Sequence, residues 1–377
     1  MKIVYVNDAM AIWGGLERIL VEKMNFLSEQ YGYEVHIVTA NQGEHPIPYQ
    51  LSQKVIHHDL AIQFHKQYDI RGLCRLYTRF QLSRLFVKRL RNYIKEISPD
   101  IIVSVRTKLT YGIVKAKGPV PLVFESHSSC DAQLVVSPDF FSRMKVAYNN
   151  YSVKNAKKVV ALTGGDAEDW RKFNPNVCVI PNIVHLNESE SVCDCQAKSV
   201  IFVGRFSAQK DIRSLLEIWK LVHPVYPDWQ LRIFGGYGEK QTSLLPLIRE
   251  MDANIVVQDP TSDIMKKYME SSILVMTSVF EPFGLVLPEA MSCGLPVVAF
   301  DCPYGPADII TDGKDGFLIK DRDIRLFADK LCLLISDPSL RVRMGQQGVI
   351  SSKRYESYRI MPLWKRLFED LSQNRLE

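Results

Sequence analysis

The sequence predicts an α/β protein built from two doubly wound parallel-sheet domains. Strand-like runs alternate with helical patterns along the chain, and the strands are almost continuously apolar. Continuous apolar strands are typical of parallel sheets that helices cover on both faces. A polar stretch at residues 185–198 interrupts the alternation near the middle of the chain and is predicted to be a linker. With 377 residues the chain is long enough to form two domains with separate cores.

The predicted elements follow in chain order. In the first half the predicted strands are Lys2–Asn7, Val35–Ala40, Ile101–Val105, Leu122–Glu125 and Val159–Leu162. In the second half they are Val200–Val203, Gln230–Phe234, Ile255–Gln258, Ile273–Thr277 and Pro296–Phe300. Helices are predicted over residues 16–30, 78–97, 140–155, 212–222, 240–251 and 324–335, and a last helical pattern covers Ser351–Leu371. The first domain is therefore predicted to span residues 1–184 and the second residues 199–354.

Composition narrows the class of protein. Hydrophobic residues make up 46% of the chain and charged residues 24%, which is ordinary for a soluble globular protein. No apolar run approaches the roughly 20 residues that a membrane-spanning helix needs, and Met1–Val6 enters a strand without a signal-peptide pattern. The eight cysteines are scattered, without the paired spacing of zinc sites. We therefore predict a cytoplasmic protein with reduced thiols and no metal site.

Positive charge is concentrated in the first half of the chain. Residues 1–184 carry 24 Lys and Arg against 16 Asp and Glu, although the net charge of the whole chain is only +5. The stretch Lys66–Lys95 holds nine basic residues, interleaved aromatic and apolar residues, and Asp69 as its one acid. It is either the solvated face of an amphipathic helix or a surface that docks on anionic lipid headgroups or an anionic acceptor. Because no recognised nucleic-acid motif accompanies the charge, nucleic acid is not a predicted partner.

The pair Glu281 and Glu289 is the strongest functional signal. An apolar, β-favouring run precedes Glu281, and a helical pattern begins after Gly284 with Pro288 near its first turn. The N–H groups around Gly284 and Leu285 are therefore predicted to point out of a helix start, where a phosphate is favoured. A carboxylate on each side of that phosphate would face a hydroxyl-rich group. Such a ligand is a nucleotide sugar.

Two cations are predicted at a neighbouring strand end. Gly204, Arg205 and Lys210 follow the predicted strand Val200–Val203. Ligands of doubly wound sheets bind outside the carboxyl ends of the strands. Both cations should therefore lie at the surface, where they can neutralise a leaving diphosphate. The alternative interpretation is two solvated surface charges.

Loops after three other predicted strands hold further candidates. Gly14 and Gly15 stand between the first strand and the first helix, where glycine lets the backbone approach a ligand closely. Gly235 opens a second glycine-rich loop after Gln230–Phe234, and His127 ends the run that starts at Leu122. Each of these residues, taken alone, also fits a simple turn or a polar loop.

Together these motifs resemble glycosyltransferase family 4, whose members are retaining enzymes with the two-domain GT-B fold. Glu281–Glu289 is similar to the family's E-x7-E element, and Phe202–Asp211 to its Gly-Arg…Lys diphosphate clamp. Phe234–Gly238 is similar to its G-x-G loop, Val179–Asn182 to the element before its interdomain linker, and Gly14–Glu17 to its N-domain glycine loop. The five motifs occur in the family's order and span most of the chain.

The resemblance implies two Rossmann-like domains that face a cleft, with a C-terminal segment of about 355–377 crossing back to the N-terminal domain. It implies that Glu289 binds the ribose of the donor and that Glu281 and His127 lie near the transferred sugar. It also implies a role in donor binding for Gly14, Gly15, Gly204, Gly235, Phe283, Gly284 and Leu285.

The predicted activity is transfer of a hexose or N-acetylhexosamine from a nucleoside-diphosphate sugar to a hydroxyl of a lipid-linked or cell-envelope glycan. UDP is the carrier that the family favours, and the family usually needs no metal or other cofactor. Stabilisation of the leaving group then falls to Arg205, Lys210 and the helix amides. If Lys66–Lys95 binds lipid, the enzyme is peripheral at the inner face of the membrane.

Two alternatives are kept. The first is a GT-B nucleotide-sugar epimerase or phosphorylase on the same scaffold, against which the order of the clamp and the E-x7-E element argues. The second is a non-catalytic sugar-binding or lipid-binding module, against which the intact cations and glutamates argue.

Overall fold

The computed structural model of the protein describes residues 1–105, 107–128, 130, 150–189, 191–236 and 239–373. The chain divides into two compact units. The first unit is Met1–Ile183 together with Ser357–Glu377, and the second is Val184–Glu356. The end of the chain therefore belongs to the first unit, as the family resemblance implies.

A parallel sheet forms the centre of the first unit. Its described strands are β1 Lys2–Asn7, β2 Glu34–Thr39, β3 Val55–Asp59, β4 Ile101–Ser104, β5 Leu122–Glu125, β6 Lys158–Ala161 and β7 Val177–Val179. They pair in the order β3-β2-β1-β4-β5-β6-β7, and Ile3 of β1 lies between Val35 of β2 and Ile101 of β4. The helices described are α1 Gly15–Glu29, α2 Gly72–Ile97, α3 Thr107–Ala116 and α4 Gly164–Arg171.

The C-terminal helix, Ser357–Gln373, completes the core of the first unit. It packs against α1 and β4. Its buried residues are Ile360, Met361, Trp364, Leu367, Phe368 and Leu371. Their spacing of three and four residues places them on one stripe of the helix, which explains why this amphipathic segment docks on the sheet.

The second unit contains a second parallel sheet. Its described strands are β8 Ser199–Val203, β9 Gln230–Phe234, β10 Ile255–Gln258, β11 Ile273–Met276, β12 Val297–Phe300 and β13 Gly316–Ile319. They pair in the order β10-β9-β8-β11-β12-β13. The helices described are α5 Ile212–Val222, α6 Glu239–Glu250, α7 Ile264–Met269, α8 Val286–Ser292, α9 Gly305–Ile309, α10 Ile324–Ser336 and α11 Pro338–Ser352. Every residue of β11 and β12 is buried, as expected for strands covered on both faces.

Both sheets reverse their strand order at one point, between β1 and β4 in the first unit and between β8 and β11 in the second. Loops that leave adjacent strands on the two sides of such a point diverge to opposite faces of the sheet. The crevice between them, outside the carboxyl ends of the strands, is where doubly wound sheets bind ligands. In the second unit this point lies between the loop that follows Val203 and the loop that follows Met276.

The predicted fold class is confirmed, and β1, β5, β9, β10 and α5 coincide with their predicted residues. The strands β7 and β13 were not predicted, because Val177–Val179 has only three residues and Gly316–Ile319 begins with glycine, a residue depleted in strands. The predicted helix at 140–155 lies mostly outside the described residues. Residues 185–198, predicted as a linker, form part of the second unit, where the Cys193 N–H donates to the carbonyl of Cys293.

The last helical pattern, predicted over Ser351–Leu371, is interrupted. Helix α11 ends at Ser352, a 3-10 turn covers Lys353–Tyr355, and Glu356 is extended before the C-terminal helix begins. Tyr355 is buried and packs edge-to-face on Phe283 at a centroid distance of 5.2 Å. This long-range contact, which periodicity does not report, holds the interruption in place. None of the described helices is both long enough and apolar enough to span a bilayer.

Candidate active site

Lys210 and Glu281 meet where the strand order of the second sheet reverses. Lys210 follows β8 and Glu281 follows β11, and the two strands are neighbours. Lys210 Nζ donates to Glu281 Oε2 at 2.6 Å, and the hydroxyl of Ser278 donates to the same oxygen at 3.1 Å. The two paired side chains are only 15% and 11% exposed. The prediction that Lys210 lies at the surface is therefore wrong, because its carboxylate partner draws it inward.

Local structure explains why Lys210 can reach this carboxylate. Gly204 leaves the space that the lysine stem occupies, since a Cβ there would lie 3.2 Å from Lys210 Cδ. Asp211 caps α5 by accepting from the Ser214 N–H. The Thr277 hydroxyl, at the end of β11, lies within hydrogen-bond distance of the carbonyls of Lys210 and Asp211. This hydroxyl thus joins the loop after β11 to the loop that carries Lys210.

Arg322 is a second link between these loops, and the sequence interpretation missed it. Its guanidinium donates to the carboxylate of Asp211 at 2.5 Å and to the carbonyl of Ser278 at 2.9 Å. It also lies 4.4 Å from the centroid of the Phe300 ring. Arg322 sits in a short 3-10 turn after β13, a place with no local motif. Only the fold brings it within reach of the loops that carry Lys210 and Glu281.

The backbone of Glu281 is held as firmly as its side chain. Its N–H donates to the carbonyl of Pro303 at 2.7 Å, and its carbonyl accepts from the N–H of Gly305 at 2.8 Å. The loop before α9 therefore pairs with the loop after β11. A carboxylate with both its backbone and its side chain fixed is preorganised for a ligand.

The predicted helix start follows Glu281. Gly284 has φ +92°, a conformation that L side chains rarely adopt, and α8 begins two residues later with Pro288 in its first turn. Within the described residues, the N–H groups of Leu285 and Val286 have no backbone acceptor. Phe283 was predicted to bind the donor, but its side chain is buried against Tyr355. The structure therefore gives that ring a packing role.

Glu289 is a buried carboxylate, only 3% exposed. The hydroxyl of Tyr268, on α7, donates to Glu289 Oε2 at 3.3 Å. Tyr268 is fully buried and was not predicted as a site residue. Because it orients Glu289 from the side of the core, Glu289 differs from an ordinary solvated acid of a first helical turn.

The other candidates of the second unit differ in exposure. Arg205 is exposed directly after Gly204. Gly235 has room for no side chain, since a Cβ there would lie 1.9 Å from the carbonyl oxygen of Gly204. It lets the loops after β8 and β9 approach each other. Tyr237 and Gly238, which complete the predicted glycine-rich loop, lie outside the described residues.

The candidates of the first unit lie at two strand ends. Gly14 is the N-cap of α1, and its carbonyl accepts from the Tyr49 hydroxyl at 3.1 Å. Gly15 is exposed at the first position of the helix. His127 follows β5, and its Nε2 lies 2.9 Å from Glu125 Oε1. Lys23 contacts the same carboxylate oxygen at 2.5 Å and was not predicted.

The predicted site residues thus form two groups. His127, Gly14 and Gly15 belong to the first unit, and the remaining ones belong to the second. Across the described ranges, no cluster of three or more His, Cys, Asp or Glu side chains is arranged to hold a metal ion.

Two family models match the chain. Glycosyltransferase Family 4 matches residues 13–188, and Glycosyl transferases group 1 matches residues 190–349. A curated relative, the amylovoran biosynthesis glycosyltransferase AmsD of Erwinia amylovora, is 29% identical over 375 residues, covering 96% of this chain and 98% of its own.

Two solved structures of similar fold span the whole chain. Sucrose-phosphate synthase of Thermosynechococcus elongatus has a TM-score of 0.82 at 18% identity and covers 98% of each chain. The Anabaena protein HepE, solved with UDP and glucose, has a TM-score of 0.76 at 20% identity and covers 98% of this chain and 100% of its own. Because the two family models cover both units with their candidate site residues, and these neighbours share the fold, the chain belongs to the group 1 glycosyltransferases of family 4, with the GT-B fold.

Proposed function

We propose that this glycosyltransferase moves a hexose or N-acetylhexosamine from a UDP-sugar to a hydroxyl of a lipid-linked or cell-envelope glycan, with retention of anomeric configuration. The observation that carries the proposal is the Lys210–Glu281 contact where the second sheet reverses its strand order. A cation, a fixed carboxylate and free helix N–H groups there suit a sugar diphosphate. The similarity to a relative named for amylovoran biosynthesis, and to a fold neighbour solved with UDP and glucose, supports the substrate class.

The proposed reaction needs little from the protein except charge and position. The bond from the anomeric carbon to the β-phosphate oxygen breaks, and a bond to the acceptor oxygen forms on the same face. The acceptor proton passes to the leaving phosphate. Arg205, Lys210 and the N–H groups at the start of α8 stabilise the diphosphate without a metal, while Glu281 lies where the sugar's positive charge develops.

The test is a panel of nucleotide sugars with candidate lipid-linked acceptors, read by released UDP and by the anomeric coupling of the product. Retained configuration, with activity unchanged by a chelator, is the expected result. Conversion of the donor without any acceptor would support the epimerase alternative. Binding of UDP without hydrolysis or transfer would support the non-catalytic module.

The two glutamates are expected to fail differently when neutralised. Glu289→Gln should weaken the binding of free UDP about tenfold or more, because the proposed ribose contact is lost. Glu281→Gln should leave UDP affinity nearly unchanged and lower turnover, because Glu281 acts where charge develops in the transition state. Calorimetry with UDP and steady-state kinetics measure the two effects. Glu217→Gln, an exposed change on α5, is the control. Normal UDP binding by Glu289→Gln would remove the ribose assignment.

The acceptor surface is proposed to lie on α2. The first three turns of this helix are mostly exposed, and its apolar residues Leu76, Tyr77 and Phe80 are 62%, 65% and 56% exposed. Arg75 and Arg79 lie among them and are exposed as well. Exposed aromatic residues beside cations suit the headgroup region of an anionic membrane, which makes a peripheral location at the inner membrane face part of the proposal.

Reversing Arg75, Arg79 and Lys88 to glutamate is expected to abolish binding to anionic vesicles, because each basic residue near such a surface contributes about 1 kcal/mol. Wild-type binding should fall steeply with salt, and UDP affinity of the variant should be unchanged. Vesicle co-sedimentation measures the effect.

The matched control reverses three exposed cations of the second unit, Lys220, Arg325 and Arg343, which changes the net charge by the same amount. If the wild type binds neutral and anionic vesicles equally, or if the control variant loses as much vesicle binding, α2 is only a solvated helix face.

A further inference from the structure

The first unit buries an ion pair beside His127. Lys23 projects from α1 and Glu125 is the last residue of β5, and Nζ lies 2.5 Å from Oε1. Both side chains are only 1% exposed. Charged side chains are almost never fully buried unless they are paired, and a buried pair is not generally kept for stability, since apolar replacements often serve as well. The burial of this pair therefore indicates a role other than stability.

His127 shares the carboxylate with Lys23. Its Nε2 lies 2.9 Å from Glu125 Oε1, at ion-pair distance but without hydrogen-bond alignment, and its side chain is 7% exposed. Glu125 ends β5 and His127 follows it by two positions, and this short spacing lets their side chains meet. Glu125 therefore sits between a buried cation and an imidazole that emerges at the carboxyl end of β5.

Lys23 is enclosed by two further elements. Its Nζ lies 3.5 Å from the centroid of the Trp364 ring, on the C-terminal helix, and 5.8 Å from that of Tyr5, on β1. Trp364 is 1% exposed and Tyr5 is fully buried. A cation over an aromatic face is stabilised when both are desolvated. The C-terminal helix thereby takes part in holding the charge next to His127.

Electrostatics agree with this geometry. Burial by itself would raise the pKa of Glu125, but Lys23 and His127 outweigh it and hold the pKa at about 2. Burial lowers the pKa of Lys23, and Glu125 offsets part of that effect. Glu125 Oε2 and the Tyr5 hydroxyl are buried without a hydrogen-bond partner among the described residues. Lys23 is therefore the buried counter-charge of Glu125.

We infer that Lys23 and Glu125 are positioning residues for His127. The carboxylate of Glu125 lies 2.9 Å from Nε2, where its negative charge favours a proton on that nitrogen and leaves Nδ1 as the nitrogen available to a bound sugar. Lys23 and Trp364 hold the carboxylate in place. This inference rests on the proposed function and on the expectation, drawn from the family resemblance, that His127 lies near the transferred sugar.

The test compares Glu125→Gln with the doubly neutral variant Lys23→Met/Glu125→Gln. The double variant removes both buried charges, so it should fold even if Glu125→Gln, which leaves Lys23 unpaired, does not. Nitrogen-15 NMR of labelled histidine reports which ring nitrogen of His127 carries the proton, and a His127→Gln variant assigns the signal. We expect a single Nε2–H form in the wild type and a mixture of forms in both variants.

Kinetics give the second readout. Turnover should fall about tenfold or more in the double variant, while UDP affinity stays within about twofold, because the imidazole is misdirected and the nucleotide site of the second unit is untouched. Tyr93→Phe, which removes a buried hydrogen bond to His36 in the same unit, should change neither the His127 signal nor turnover.

The outcomes are distinct. A double variant with the wild-type His127 signal and wild-type turnover would overturn the positioning role and leave the pair purely structural. If the wild type transfers no sugar at all, the proposed function fails, and the NMR comparison still decides whether Glu125 orients His127.

Discussion

Replacing Lys210 with alanine is expected to lower turnover about 100-fold or more, which corresponds to about 2.7 kcal/mol of lost transition-state stabilisation. Lys210 is the partly buried cation next to Glu281, and in the proposed reaction it faces the diphosphate as negative charge develops on it. A cation at a partly desolvated site is worth more than one in water. Released UDP, measured under saturating donor and acceptor, reports the effect.

Two further variants show whether lost positive charge or a disrupted fold lowers the turnover of Lys210→Ala. Arg205→Ala removes an exposed cation of the same clamp and should also lower turnover about 100-fold or more with unchanged thermal stability. Lys220→Ala, an exposed lysine on α5, should behave as wild type. Wild-type turnover in either clamp variant would remove that residue from the clamp.

Replacing Lys23 with methionine is expected to lower the free energy of unfolding by about 3–5 kcal/mol, because it leaves the carboxylate of Glu125 buried without its cation. Methionine is chosen because it fills most of the volume of the lysine stem. The double variant Lys23→Met/Glu125→Gln should recover most of the loss, since no unpaired charge remains. Denaturant unfolding at pH 7 measures all three proteins, and Lys88→Met on the exposed face of α2 is the control.

The loss of unfolding free energy in Lys23→Met should also depend on pH. In the wild type the pKa of Glu125 is lowered from 4.5 to about 2, so its ionised form contributes stability that is present above about pH 4.5 and lost as the pH falls toward 2. Without Lys23, burial raises the pKa of Glu125, so the variant is least stable at neutral pH and is relieved as the carboxyl protonates. The difference between the two proteins should shrink between pH 7 and pH 4. A constant difference would mean that lost packing, rather than the unpaired charge, explains the effect.

The residue pattern was sufficient for the architecture because most of the strands are apolar runs and the longer helices repeat their apolar residues every three or four positions. β8 and β11 are continuous apolar runs, and parallel strands place their carboxyl ends on one edge of the sheet. The approach of Lys210 and Glu281 follows from that rule, although they are 71 residues apart. The residue pattern did not predict where contacts between distant residues interrupt a helix. At Tyr355, packing against Phe283 coincides with the end of a helical pattern.

The residues of the candidate site likewise fall into those that a local motif identifies and those that only the fold brings into place. Its glycines, cations and glutamates stand in short motifs, so their residue types and order identify them. The residues that hold the site in place do not stand in motifs, because each contacts its partner only after folding. Arg322 contacts Asp211, which is 111 positions away, and Lys23 contacts Glu125, which is 102 positions away. No period or spacing in a chain encodes such a pairing. It arises when packing brings two charges together and removes part of the surrounding water, as for Arg322 and Asp211, or nearly all of it, as for Lys23 and Glu125. Local pattern therefore establishes the sheets of this protein and the loops of its candidate site, and the packing of the folded chain establishes which charges hold those loops in place.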